Sequence, residues 1–436
     1  MTQDTSATTP TPENPTPENS APETAGTEKT GLPAAWPWIE RLLRIPTVSY
    51  ESDEALLELI RAEAERLGLT AHLTWADEHN RANLLITVSA ADGATSGGVL
   101  LSGHTDVVPV QGQPWDTDPF EPVIRDGRLY ARGAADMKSY VGVMLWLLGQ
   151  AAEAELAEPL HFAFTYDEEP GCLGAPRLIA DLAERGIRPD FALVGEPTLM
   201  NIVVAHKAPF RGKVTFHGVP KHSSLAPYGI NAVSAAARFI AFFDDLVERE
   251  RTDGPQAEGF NIPWTTGGVN VIRGGAAHNI VAEEVTLEYD LRIVPATDPE
   301  DLRARIQTFL DEQIEPALAE EAHRVRELGG ADEQALARVG TEHEVLANVP
   351  ALNESPEAPV VELARELGAV LDGGGEVPYV SYGTEAGQYF EAGIPAIVCG
   401  PGSITQAHTA NEWVALEQIE ACQDYLLAVL ERARRK

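Results

Sequence analysis

From Ala34 onward the apolar positions follow two rhythms that take turns along the chain. AAWPWIERLLRI (34–45) predicts a helix that stops before Pro46, and ESDEALLELIRAEAERLGL (51–69) spaces its apolar residues three and four apart, as an amphipathic second helix does. ANLLITVSA (82–90) and GGVLLSGH (97–104) read as strands. A helix after Asp136 (MKSYVGVMLWLLGQAAEAE), a strand (PLHFAFTYDEE), a helix (GAPRLIADLAERG) and a strand (DFALVGEP) complete the first block. Such alternation argues for an α/β fold, a sheet with helices on both faces.

The grammar changes near Phe210. RGKVTFHG is a strand, INAVSAAARFIAFFDDLVERE a long helix, TTGGVNVIRGG and EEVTLEYDLRIVP strands with clean alternation, and PEDLRARIQTFLDEQIEPAL another helix. This β-α-β-β-α order predicts a smaller α+β sandwich. After Val345 a helix (PVVELARELGAVL), a strand (AIVCGPG) and a final helix (ALEQIEACQDYLLAVLERARR) restore the first pattern. The first domain is therefore expected to be discontinuous, 34–209 and 346–436, around an insert at 210–345.

A chain of 436 residues also exceeds one ordinary core, which fits two domains. Residues 1–33, with TPENP and TPENS repeated, are rich in Thr, Pro and Glu and read as a disordered tail; without an apolar h-region they are not a secretory signal. No apolar run approaches the roughly 20 residues of a membrane span. The formal net charge of −35, from 67 acidic and 32 basic residues, repels nucleic acid and anionic membrane surfaces. Three scattered cysteines give no disulfide framework, so a reducing cytoplasm is the expected location.

Carboxylates and histidines collect where the predicted strands end, the edge at which open α/β sheets keep their sites. In SGHTDVVPV (102–110) the two-residue period of an extended chain puts His104 and Asp106 on one side, so that one can bind while the other holds it. Asp136 lies on a small-residue turn in GRLYARGAADMKS. Asp167, Glu168 and Glu169 end a strand in TYDEEPGCLGA, Glu196 ends the next in LVGEPT, and His408 lies in GPGSITQAHTANE. Taken singly, a strand-end histidine is more often capped or solvated than a ligand; composition alone does not repeat the feature at five strand ends. Nitrogen and carboxylate donors without thiolates suit zinc or a similar divalent metal in a catalytic site, and five exceed what one open zinc needs. Two cations sharing a bridging carboxylate fit better.

SGHTDVVP, GRLYARGAADMKS, YDEEPGCLGA, VGEPT, HSSLAPYGINA and GPGSITQAH together resemble the motifs of the dinuclear zinc amidohydrolases, a family of N-acyl-amino-acid deacylases, aminoacylases and carboxypeptidases. The likeness runs from about Ala34 to the C-terminus. It implies a discontinuous α/β catalytic domain with an inserted ferredoxin-like α+β lid and dimerisation domain. It makes His104 and Glu196 ligands of one metal, Glu169 and His408 ligands of the other, Asp136 the bridge and Glu168 the general acid/base. Asp106 would accept the second imidazole N–H of His104, and His222 would reach the scissile carbonyl, often from the other subunit of a homodimer. Asn279, Arg292 and Gly402 match positions that contact substrate, whereas His206, His278 and Cys172 read as structural. The implied cofactors are two divalent ions, zinc first and cobalt possible. The implied reaction removes the N-acyl group of a small amino acid, N-acetylornithine foremost. N-succinyl-diaminopimelate, other N-acyl amino acids and dipeptides stand as alternatives. A non-catalytic descendant of the fold would have lost a ligand or Glu168, and none is missing here.

Overall fold

The computed structural model describes residues 31–369 and 379–435. Most of the Thr/Pro/Glu tail and the end of the helix expected over 359–371 lie outside the described residues. In chain order the first block holds α1 (Trp36–Leu43), α2 (Glu54–Arg66), β1 (Ala71–Trp75), β2 (Ala82–Val88), β3 (Val99–His104), α3 (Lys138–Ala152), β4 (Leu160–Thr165), α4 (Ala175–Glu184) and β5 (Phe191–Pro197). Then come β6 (Ala208–His217), α5 (Ala232–Thr252), β7 (Thr266–Gly274), β8 (Glu284–Ile293), α6 (Pro299–Phe309), α7 (Glu315–Glu327) and β9 (Gly340–Asn348). The chain closes with α8 (Pro359–Glu366), α9 (Ala386–Glu391), β10 (Ala396–Gly400) and α10 (Leu416–Arg435).

The larger sheet has the order β1-β2-β4-β3-β5-β10. From β4 to β10 its strands are parallel, while β1 and β2 add antiparallel at one edge. Both faces are covered. Along β3, Val99 and Leu101 join the core under α1, α3 and α10, while Leu100 joins the core on the opposite face with Leu178 of α4 and Tyr389 of α9. This splitting of neighbours is the pleat at work. It explains why the parallel strands read as continuous apolar runs rather than as alternating ones.

The smaller sheet, β7-β8-β6-β9, is antiparallel throughout. With its two helical crossings it is the β-α-β-β-α-β arrangement of a ferredoxin-like fold. One face is covered: Val285, Leu287, Tyr289, Leu291 and Ile293 of β8 pack on Phe239 and Phe243 of α5 and on Ile306 of α6. The alternate residues of β8, among them Asp290 and Arg292, therefore leave the helix-covered face.

Besides β1 and α9, which the pattern did not show, three departures bear on the architecture. The helix expected over 299–318 continues to Glu327 and widens to a π turn at Leu310–Ile314. Pro316 follows that turn and has no N–H to give back to it. β9 carries charged and exposed residues because it is an edge strand with a single neighbour, and it runs past position 345 to Asn348. The short pair Val123–Arg125 and Arg128–Tyr130 joins Trp413–Ala415 in a small third sheet. Three-residue strands are too short to show a period.

Candidate metal centre

Five segments at the C-terminal edge of the parallel strands supply the cluster. His104 is the last residue of β3, Glu168 and Glu169 follow β4, and Glu196 lies near the end of β5. Asp136 sits two residues before α3, and His408 lies in the loop after β10. Two close approaches fix this edge. A Cβ on Gly195 would lie 2.2 Å from the Tyr140 ring, so glycine is what lets Glu196 come this near to α3. Gly133 has φ +82° and no room for a Cβ against Val107 at 2.9 Å, so the turn before Asp136 also requires glycine.

Asp136 stands between the two histidines. Its Oδ1 is 2.9 Å from His104 Nε2 and its Oδ2 is 3.2 Å from His408 Nε2. Glu169 Oε2 lies 2.8 Å from the same His408 nitrogen, and Glu196 Oε1 lies 3.6 Å from His104 Nε2. One carboxylate thus addresses two nitrogens with separate oxygens, each nitrogen flanked by a further carboxylate. The ligand atoms of His104, Asp136 and Glu169 lie within 4.8 Å of one another, as do those of His104, Glu168 and Glu196.

The protonation pattern suits a cation site. His104 Nδ1 donates to the main-chain carbonyl of Asp106 at 2.9 Å, which turns Nε2 towards the carboxylates; although burial opposes it, Glu196, Asp106 and Asp136 hold this ring well above its ordinary value. Burial drives Glu168 up to about 8 and Glu169 up to about 7, and neighbouring carboxylates push the same way. Burial, joined by Asp136, also holds Glu196 well above its ordinary value. Hydrogen bonding to Asp136 and Glu169 lifts His408 to about 10. Glu169 Oε1 and Glu196 Oε1 are buried with no hydrogen-bond partner. Crowded acids with orphaned oxygens around two imidazole nitrogens are what divalent cations would satisfy by displacing the protons held there, and the N/O donor set fits zinc-like ions.

Asp106 does more than hold His104. Its carboxylate lies 3.5 Å from Nδ1, farther than the main-chain carbonyl that accepts the N–H. Instead Oδ1 accepts the Glu168 N–H at 2.9 Å, and Oδ2 accepts Ser49 Oγ–H at 2.6 Å and the Glu169 N–H at 3.4 Å. One aspartate therefore sets the loop that carries both glutamates. Cys172 is buried, its thiol pushed well above the usual range by that burial, and its Sγ donates to Glu168 Oε1 at 3.1 Å. This is a partner for the glutamate, not a nucleophile.

A cavity of about 330 Å³ opens on the cluster, lined by Asp136, Glu168, Glu169, Glu196 and His408 together with Arg211 and Arg292. Asp290 joins the two arginines, accepting Arg292 Nε–H at 2.8 Å and Arg211 Nε–H at 3.2 Å. Arg292, expected as a substrate contact, lines this cavity with its Nε held by Asp290. Arg211 and Tyr382, which also lines the cavity, carried no motif; the place of Arg211 depends on β6 pairing with β8 in a register that puts it opposite Asp290.

The remaining expected residues lie elsewhere. His222 is exposed and takes the N-cap of the short turn Ser223–Tyr228, where its Nδ1 is 2.8 Å from Ser224 Oγ. Asn279 is also exposed, and its carbonyl accepts the Ser223 N–H at 2.8 Å, so the two predicted residues neighbour each other and do not line the cavity of their own chain. Gly402 is buried, with φ +84°, and faces Ala135 and Val414 instead of the cavity. His206 is buried between main-chain groups of Lys207 and Thr384, which accords with a structural part; His278 is exposed.

A family model described as Peptidase family M20/M25/M40 matches residues 100–432, and the chain belongs to that family. It is 31% identical over 411 residues to acetylornithine deacetylase of Proteus mirabilis, covering 92% of this chain and 97% of that protein. It is 32% identical over 410 residues to acetylornithine deacetylase of Myxococcus xanthus, with the same coverage. Among solved structures it is similar to an M20 family metallo-carboxypeptidase from Sulfolobus solfataricus, with TM-score 0.67, 19% identity, and 91% of this chain and 98% of that one covered. The chain is a metal-dependent amidohydrolase. Among the described residues no helix is long and apolar enough to cross a membrane.

Proposed function

We propose, with the family as premise, that the protein hydrolyses the N-acyl amide of a small amino acid, N-acetylornithine foremost, releasing ornithine and acetate. The observation that carries the reading is Asp136 placed between two histidines beside Glu168, in a cavity that Arg292 also lines. His104, Glu196, Glu169 and His408 would hold two cations with Asp136 between them, zinc or cobalt by donor type. When bound, such ions polarise an amide carbonyl and make water a nucleophile near neutral pH.

The chain's own residues do the rest. Glu168, raised by its buried acidic surroundings, takes a proton from the attacking water and returns it to the leaving amine nitrogen. Asp106 fixes the Glu168 main chain, and Cys172 turns the Glu168 carboxylate by donating to one of its oxygens. The Arg292 fork, steadied through Nε by Asp290, keeps its terminal N–H groups for a substrate carboxylate.

His222 and Asn279 belong to this reading through a second copy of the chain. They sit together on an exposed segment with Leu225, Tyr228 and Ile280, large apolar residues open to solvent. We propose that residues 210–345 form the lid and dimer contact, so that a homodimer brings His222 to the partner's scissile carbonyl as an oxyanion donor. Three buried, unpaired cysteines fit a reducing cytoplasm.

The test is metal-loaded protein assayed against N-acetylornithine, N-succinyl-diaminopimelate, other N-acyl amino acids and small dipeptides. Preferred turnover of N-acetylornithine supports the reading. Dipeptide turnover with none of N-acetylornithine overturns it.

A further inference from the structure

Beyond His408 the motif ends in Glu412, a residue with no part in the chemistry above. Glu412 and Arg132 are each 1% exposed and pair at 2.6 Å, Arg132 Nη1 donating to Glu412 Oε2. That oxygen also accepts the Gly133 N–H at 3.1 Å, while Oε1 accepts the N–H groups of Ala135 at 2.8 Å and Asp136 at 3.1 Å. The turn that presents Asp136 is therefore wound around one carboxylate. On its other side Arg132 Nη2 donates to Gln113 Oε1 at 2.5 Å, and Gln113 Nε2 donates to the main-chain carbonyl of His408 at 2.8 Å. His408 needs such an anchor, because its φ of +61° lies in the left-handed region that non-glycine residues seldom occupy.

An unbroken run of hydrogen bonds thus joins the main chain of Asp136 to the main chain of His408, behind the side chains that face each other at 3.2 Å. We infer that Glu412, Arg132 and Gln113 are positioning residues, a buried clamp that sets the spacing of Asp136 and His408 and so the affinity of the cation those two would share with Glu169. The inference rests on the two-cation reading above. It follows from how a carboxylate works here: it accepts several N–H donors at once, and its charge strengthens each bond. A glutamine in its place would keep the shape but turn an NH₂ group towards N–H donors, leaving buried donors unmatched.

The experiment is zinc titration of the metal-free full chain against a competing chelator, with the thermal midpoint of each metal-free protein measured alongside. Wild type should take two zinc ions. Glu412→Gln should weaken one of the two about 10 to 100-fold, the scale for losing an outer partner of a metal ligand. Gln113→Ala alters a partly exposed residue and should weaken the same ion less, with the metal-free midpoint unmoved; a merely structural residue would not shift affinity in that way. Titrations of both variants that superimpose on wild type overturn the clamp. If Glu412→Gln does not fold, Gln113→Ala decides alone. Fewer than two zinc ions in wild type would bring down the two-cation reading and the clamp with it, whereas two in wild type and in both variants at equal affinity brings down the clamp only.

Discussion

The strand-end cluster and the His222–Asn279 segment were expected to serve one site, yet they differ in almost every physical respect. In the cluster, residues from four separate segments come within hydrogen-bonding distance in a single chain, most of them buried, their oxygens crowded enough to raise several acids. His222 and Asn279 are exposed, bonded to their own neighbours, and outside the cavity that the cluster lines. The lesson is that the larger sheet alone assembles the candidate metal centre, whereas His222 and Asn279 lie outside it and would serve the proposed reaction only if another body brought them in.

The strongest way to break that comparison is to strip cations with a chelator. Hydrolysis should vanish and return on adding zinc or cobalt, with the fold intact by circular dichroism; full activity in metal-free protein would sever the cluster from the reaction. Next, Glu168→Gln should keep both ions yet lose roughly 10² to 10⁴-fold in kcat, the range for a general acid/base. Loss of metal together with activity would move Glu168 into the ligand set.

A somewhat smaller effect sharpens the other side. His222→Ala should lower kcat by about 10² to 10³-fold, as for a lost oxyanion donor, with metal content unchanged. Mixing His222→Ala with Glu168→Gln and letting subunits exchange should then restore turnover, since one site per mixed dimer would have both groups. No recovery after proven exchange would leave His222 as the cap of its own turn. Smallest, Asp106→Ala should weaken metal binding by about 10 to 100-fold without abolishing it, read by chelator competition.

How far the sequence reached follows the same division. His104, Glu168, Glu169 and Glu196 were legible because strand ends are local: an apolar run, its stop, and a polar residue one or two steps later. The sandwiched sheet was legible for the same reason, through Val99 to Leu101 and Leu160 to Phe164. β9 was not, since an edge strand with charged residues such as Glu342 and Glu344 loses the apolar signal. Arg211 and Glu412 were also missed as parts of the site. Their meaning lies in partners far along the chain, Asp290 and Arg132, which no local spacing shows. The acceptor for His104 Nδ1 was misjudged for a related reason: side-chain period places Asp106 on the correct side but cannot tell its carboxylate from its carbonyl.

The most direct measurement of the central claim is a count of zinc bound per chain, by mass spectrometry of the intact loaded protein, in wild type and in Asp136→Ala. The account expects two ions in wild type and a loss of tight binding at both positions when the shared carboxylate is removed. A wild-type protein that binds one ion or none, or an Asp136→Ala variant that still binds two as tightly, would contradict it.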